Sequence, residues 1–178
     1  MKVLVGISGG IDSFMTAILL KEKGYEVVGV SFQFWGQNEL ESVHTMCQRL
    51  SIPLIIQDEQ DYFKKTVVAS FIKDYINART PNPCCHCNSY VKWMMLDKLA
   101  QELDIPYIAT GHYVKILEYE GHHYIHKGID PAKDQSYFLY GLKEEILKKS
   151  ITPLGEYTNA EKKYEAEKRG KKDILKKR

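Results

Sequence analysis

Cysteine is scarce in this chain: four residues in 178, at positions 47, 84, 85 and 87. That number excludes a disulfide scaffold, in which many bridges staple a small core. Three of the four fall in one tetrapeptide, Cys84-Cys85-His86-Cys87. In a reducing compartment such clustering points to catalysis or metal binding. Long apolar runs are also missing. The run near the N-terminus covers only residues 3–7, far short of a signal-peptide core or a membrane span. A cytoplasmic protein with no membrane partner is expected. Neither charge is in surplus: 25 Lys and Arg face 23 Asp and Glu, a formal charge of +2. The charge is uneven only at the end. From residue 161 onward, nine basic residues oppose Glu161, Glu165, Glu167 and Asp173. That tail reads either as a solvated helix or as a contact for a nucleic-acid backbone. No internal repeat is present.

A hydrophobic fraction of 44% is enough for the core of one domain. Short apolar stretches, rich in β-branched residues, predict strands at 3–8, 27–34, 53–56 and 106–110. Between them, helical spacing covers 11–23, 39–50, 61–77 and 90–103. The helix at 61–77 is expected to set Phe63, Val67, Phe71, Ile72 and Tyr75 on one face. Residues 80–87 read as a loop, punctuated by Pro81 and Pro83. A hairpin is expected at 116–127 and further helices at 144–149 and 160–172. Trp35, Trp93 and Cys47 read as core. The alternation predicts an α/β fold, an open parallel sheet with helices on both faces. In such sheets ligands bind beyond the carboxyl ends of the strands. Residues 8–10, 32–35 and 110–112 lie at three such ends and should converge on one crevice.

The most informative stretch is Val5-Gly6-Ile7-Ser8-Gly9-Gly10-Ile11-Asp12-Ser13, an apolar strand running through Ser-Gly-Gly into a helix. Glycines allow a tight turn and close approach by a ligand. Free N–H groups at a helix start, on the positive end of its dipole, suit phosphate. Ser8 and Ser13 add hydroxyl donors. Neither GxxxxGK[ST] nor GxGxxG occurs, so a Walker A loop and a dinucleotide fingerprint are both excluded. The competing reading is an ordinary strand-to-helix turn capped by Asp12.

Ser-Gly-Gly-Ile-Asp-Ser at 8–13 resembles the pyrophosphate (PP) loop of the N-type ATP pyrophosphatases, which carry a Rossmann-like fold of the adenine nucleotide alpha-hydrolase type. Further blocks narrow the likeness: Arg79-Thr80-Pro81-Asn82-Pro83 with Cys87-Asn88, Ala109-Thr110-Gly111-His112-Tyr113, Lys133-Asp134-Gln135-Ser136-Tyr137-Phe138-Leu139, and Pro153-Leu154-Gly155-Glu156. In this order they resemble the tRNA-specific 2-thiouridylases, the MnmA family, over nearly the whole chain. The resemblance implies ATP held by Gly6, Ile7, Ser8, Gly9, Gly10, Ile11, Asp12 and Ser13, with Gly111 lining the site. Phe32 stands where the family usually places a Met beside adenine. Asp12 would help position Mg2+, as a carboxylate suits a hard cation. Cys87 would be the catalytic nucleophile. Asn82, Pro83 and Cys84 would meet the target base. Cys84 departs from the Asp often found there. His112, Lys133, Asp134 and Gln135 would contact tRNA. A persulfide-carrying protein would donate the sulfur.

The implied reaction transfers AMP from ATP onto the 2-carbonyl oxygen of the wobble uridine, and sulfur then displaces it. Thiolate chemistry calls for a basic, partly open site around Cys87. Lys92, Arg79 and His86 are the candidates to supply that field. No metal site is assigned: Cys84 and Cys87 form a single CxxC, only two ligands for zinc or an iron–sulfur cluster. They could instead pair with each other. No cysteine follows Cys87, where the family carries a second catalytic one. The resemblance therefore implies a fragment: a PP-loop domain at 1–150, then residues 151–178 beginning a helical linker toward absent tRNA-binding domains. Such a fragment is expected not to complete thiolation by a two-cysteine route. Two alternatives stay open: an amide-forming ligase of the same superfamily, and a metal- or RNA-binding module without catalysis.

Overall fold

The computed structural model describes residues 1–35 and 40–169. Its main sheet has five strands, all parallel, in the order β3-β2-β1-β4-β7. These are β1 (Lys2–Gly6), β2 (Glu26–Gln33), β3 (Leu54–Asp58), β4 (Tyr107–Ala109) and β7 (Ser150–Ile151). A strand covered on both faces must be apolar on both, and β1 is: Val3, Leu4 and Val5 have no exposed surface. Leu4, Val30 and Ile108 pack on one face against Trp93, Leu96, Leu99 and Ala100 of α6 (Trp93–Glu102). Val3, Val5, Val27 and Ala109 pack on the other, against Ala17 and Leu20 of α1 (Ile11–Glu22) and Val43 and Cys47 of α2 (Leu40–Leu50). The expected parallel sheet with helices on both faces is thus observed. Residue 39 of the expected second helix lies outside the described residues, as do 170–172 of the last.

Three details differ from expectation. The helix expected at 61–77 is built as α3 (Gln60–Phe63), a π-helical turn (Lys64–Val68) and α4 (Ala69–Ile76). A π turn takes in an extra residue and rotates everything after it about the axis. Phe63 and Val67 are therefore buried, while Phe71, Ile72 and Tyr75 are exposed. The expected loop at 80–87 ends in a helical turn, α5 (Pro83–Cys87). Asn82 caps it by accepting the Cys85 N–H at 3.2 Å, and Pro83 sits in the first turn, where no N–H is needed. Trp35 is 66% exposed rather than core, its ring edge resting on Phe63. Trp93 and Cys47 are buried as expected.

The hairpin pairs β5 (Val114–Tyr119) with β6 (His122–Lys127). After the short helix α7 (Glu144–Leu147), the main sheet resumes. Ser150 and Ile151 pair with Ile108 and Ala109, so a boundary at 150 falls inside β7. Leu154 is fully buried, and α8 (Asn159–Lys168) lays Ala166 against Phe14, Met15, Ile18 and Leu19. Residues 151–169 thus pack on the domain that precedes them.

Strand order creates the site. β1 leads through α1 to β2 on one side, while β4 continues to β7 on the other. The chain directions part between β1 and β4, and a crevice opens at their carboxyl ends.

Candidate active site

The loop after β1 enters this crevice. Gly6 closes the strand, and the Ile7 N–H is used by the Val30 carbonyl at 2.7 Å. Gly9 turns with φ of 79°, and Gly10 is the N-cap of α1 without any side-chain cap. The expectation that Asp12 could be the cap is not met. Nor do the two serine hydroxyls face outward as donors. Ser13 Oγ donates to the Gly10 carbonyl at 2.9 Å and accepts the Ser8 N–H at 3.2 Å, and the Ser8 hydroxyl turns to it as well. Both serines brace the loop itself. What remains open is backbone: among the described hydrogen bonds, no acceptor is recorded for the amides of residues 9–13. Those amides fit an anion, and they stand at the dipole's positive end.

Across the crevice, Gly111 follows β4 and touches the loop. A Cβ built there would lie 2.9 Å from the Asp12 carbonyl carbon and 3.0 Å from the Ser13 nitrogen. His112 comes next. Its Nδ1 lies 2.8 Å from the Thr110 hydroxyl, and its ring rests on Trp93. Burial, helped by Lys92, pushes its pKa down to about 4, so the imidazole is neutral at pH 7.

Cys87 sits on the same side of the sheet. Its thiol packs with Phe63, Val67 and Val91, and Phe34 leans against that cluster. Phe34 in turn stacks on Phe32 at the end of β2. Burial pushes the Cys87 pKa up, Lys92 pulls it down, and Cys84 adds to the rise. The expected open, basic setting is thus half met. Lys92 supplies the positive field, but the thiol is 6% exposed and burial prevails. Lys92 acts on both Cys87 and His112, and Gly111 abuts Asp12. Lys92 thus links the Cys87 thiol electrostatically to the stretch after β4 that abuts the phosphate loop.

The other expected residues divide. Lys133, Asp134 and Gln135 line a hollow with Asp12, Tyr113 and Phe138, beside the loop. Gln135 Oε1 accepts the Tyr113 N–H at 3.0 Å. Burial alone would raise the Asp134 pKa, but bonds from the Ser136 hydroxyl and from the Gly128 and Ser136 amides outweigh it and hold it low. These two side chains fix the turn, which leaves Lys133, half-buried like them, as the member of the three with no recorded side-chain hydrogen bond among the described residues. Asn82 and Pro83 lie on the wall of a second cleft, with Phe71, His86, Tyr90, Tyr137 and Tyr140. Cys84 is exposed. No group of three His, Cys, Asp or Glu able to hold a metal exists among the described residues. No described helix is long and apolar enough to cross a membrane.

Sequence reasoning missed Tyr113 and Lys162. The Tyr113 hydroxyl donates to Asp12 Oδ1 at 2.8 Å, and the Lys162 ammonium pairs with the same oxygen. Lys162 looked like one more cation of a basic tail. Its spacing from Ala166, one helical turn on, was the available signal that both face inward.

Cysteine environments give a direct test. Iodoacetamide should label Cys84 first, with Cys47, Cys85 and Cys87 at least about tenfold slower, because burial raises all three pKa values. Peptide mass spectrometry of a time course reads this. Cys87 reacting first in the free protein would contradict the buried geometry.

The model of a family described as "tRNA methyl transferase HUP domain" matches residues 1–178. A Phocaeicola vulgatus protein named tRNA-specific 2-thiouridylase MnmA 2 is 44% identical over 173 residues, 95% of this chain and 49% of that protein. A Bacteroides fragilis protein named tRNA-specific 2-thiouridylase MnmA 3 is 47% identical over 157 residues, 88% of this chain and 43% of that one. The chain thus spans about half the length of the curated relatives it matches. Among solved structures, a predicted tRNA methyltransferase subunit from Methanocaldococcus jannaschii superposes with a TM-score of 0.63 at 19% identity, over 94% of this chain and 76% of that one. A 4-thiouridine synthetase, solved with RNA and ATP, gives 0.62 at 18%, over 99% and 42%. At such identities these two show the fold alone, the α/β arrangement described above. The match over all 178 residues shows the family: this chain belongs to the tRNA methyl transferase HUP domain family, and the relatives quoted above are named tRNA-specific 2-thiouridylases.

Proposed function

We propose that this domain binds ATP at the loop after β1 and uses it to activate the 2-carbonyl oxygen of the wobble uridine of tRNA for replacement by sulfur. The observation that carries the reading is the run of unpartnered amides at residues 9–13, placed at the switch point of the sheet with Asp12 at its rim. ATP supplies AMP, which converts a poor leaving oxygen into a good one. Pyrophosphate departs, sulfur attacks the same carbon, and AMP leaves with the oxygen. The residues have separable tasks. Amides 9–13 bind phosphate oxygens. Gly111 keeps space for the loop, and Phe32 offers a ring on the adenine side. Asp12 Oδ2 has no recorded partner and can face Mg2+. The Cys87 thiolate, favoured by Lys92, attacks the inner sulfur of a persulfide on a donor cysteine; a Cys87–donor disulfide forms, the outer sulfur leaves as sulfide to attack the activated carbon, and a thiol reductant later resets the disulfide.

The RNA side has its own support. The cleft beside Asn82 and Pro83 is rimmed by exposed rings: Tyr90, Tyr137 and Tyr140 are each more than half exposed, and Phe71 and Tyr75 stack alongside. Exposed rings around a cleft suit the stacking of unpaired bases, as in an anticodon loop. Asn82 uses its carbonyl for the cap and keeps its amide NH2 for a base edge. Cys84, His112 and Lys133 complete the proposed RNA contacts.

Pyrophosphate exchange into ATP tests the reading. Exchange should appear with tRNA bearing a wobble uridine and stay at background without it. Exchange driven by a small carboxylic acid, with tRNA inert, would transfer the chain to the amide-forming ligases.

A further inference from the structure

The phosphate loop brings no cation of its own. Between Lys2 and Lys21 the sequence contains neither Lys nor Arg. Yet its one acidic side chain, Asp12, stands where a polyphosphate would crowd it with like charge. A cation does reach Asp12, from 150 residues away. Lys162 of α8 pairs its ammonium with Asp12 Oδ1 and lies 5.5 Å from the centre of the Tyr113 ring. Its side chain is only 5% exposed, whereas that of Asp12 is 40% exposed. A buried ammonium with one carboxylate partner is costly, because desolvation offsets much of the attraction. Packing alone would favour an apolar residue at that position.

The surroundings hold Lys162 in place. α8 clips α1 at both ends. Seven residues after Lys162, Arg169 forms a two-pronged pair with Glu22, at 2.6 and 2.7 Å, in the last turn of α1. Between these charged contacts, Ala166 is fully buried against α1. The ammonium is thus fixed over the first turn of α1, the turn that carries the open amides.

We propose that Lys162 is a positioning residue for the nucleotide: it neutralises and orients Asp12, and so lets the loop accept a polyphosphate without a cation of its own. The proposal rests on the nucleotide reading given above and adds the residue that makes the loop's charge compatible with it. Lys162 acts through Asp12, so its effect must scale with the number of phosphates. An adenosine moiety alone should not feel it.

The test compares binding of ATP, ADP and AMP by calorimetry, with magnesium, to wild type, Lys162→Met and Lys162→Gln. Methionine keeps the stem's packing. Glutamine offers an N–H donor to Asp12 and serves as the second variant should methionine not fold. Both should bind ATP about 10- to 100-fold more weakly, the worth of one charge-assisted contact, with AMP changed less than about threefold. Lys162→Arg should retain most of the ATP preference. In an Asp12→Asn background, Lys162→Gln should lose most of its effect, because the charge it answers is gone. Equal losses for ATP and AMP, or a full additional loss in the Asp12→Asn background, would mark Lys162 as merely structural and overturn the proposal. Wild type that binds no ATP at all would instead overturn the nucleotide reading itself.

Discussion

Gly111→Ala should abolish ATP binding, weakening it by at least about a hundredfold, while the domain still folds. The added Cβ meets the Asp12 carbonyl carbon at 2.9 Å, the Ser13 nitrogen at 3.0 Å and the Asp12 Cβ at 3.2 Å. Two of these atoms are backbone of the first turn of α1, and no rotamer change can move them away. The turn must shift by several tenths of an ångström, or β4's end must retreat. Either motion spreads the amides that have to converge on one phosphate group, and misplacement on the ångström scale costs about 10²-fold in a preorganised site. The strain on the fold is smaller, about 1–3 kcal/mol for an overpacked contact. Gly10→Ala is the control for stability: its Cβ would meet only Ser8 Oγ, at an ordinary 3.6 Å, and its φ of −90° suits alanine. Calorimetry and thermal unfolding on both variants decide the matter. Undiminished ATP affinity in Gly111→Ala would show that the β4 end does not shape the nucleotide site.

The contact explains what could be read in advance and what could not. A run such as Val3-Leu4-Val5 is apolar on both faces of a strand, so its place in the middle of the sheet was legible. The loop was legible for the same kind of reason, because glycines after a buried strand leave amides open. The π turn at Lys64–Val68 was not. Its extra residue breaks the 3.6 period on which the expected face of Phe71, Ile72 and Tyr75 depended, and periodicity cannot report its own interruption. Trp35 escaped because composition places tryptophan inside, while its position past the carboxyl end of β2 leaves it 66% exposed, with Phe63 its recorded ring contact among the described residues. Lys162 escaped for a deeper reason. Its burial is set by a carboxylate 150 residues earlier, and local charge counting sees only the tail around it.

Cys87→Ser should separate the two halves of the proposed reaction. In cells whose copy of this gene carries the substitution, 2-thiouridine in tRNA should fall more than about a hundredfold, as expected when a covalent nucleophile is removed. The purified variant should keep its tRNA-dependent pyrophosphate exchange, because Cys87 packs against Phe63, Val67 and Val91 and has no recorded contact with residues 9–13. Ionisation gives the second readout. Burial holds the Cys87 pKa above that of a free thiol, and Lys92 alone is recorded as opposing it. Alkylation of Cys87 should therefore keep accelerating as pH rises past the ordinary thiol range, about 8.5. Lys92→Met should move that rise to still higher pH and slow labelling at pH 7 severalfold. Linkage carries the same sign. A folded pKa above the unfolded value gives stability that is complete below the unfolded pKa and is lost as pH climbs through the folded one. Cys47, Cys85 and Cys87 are all raised, so the domain should lose stability in alkali, and Cys87→Ser should remove part of that slope. Normal thiouridine levels in the Cys87→Ser cells would take the sulfur chemistry away from Cys87. A labelling profile unmoved by Lys92→Met would mean that burial alone governs this thiol.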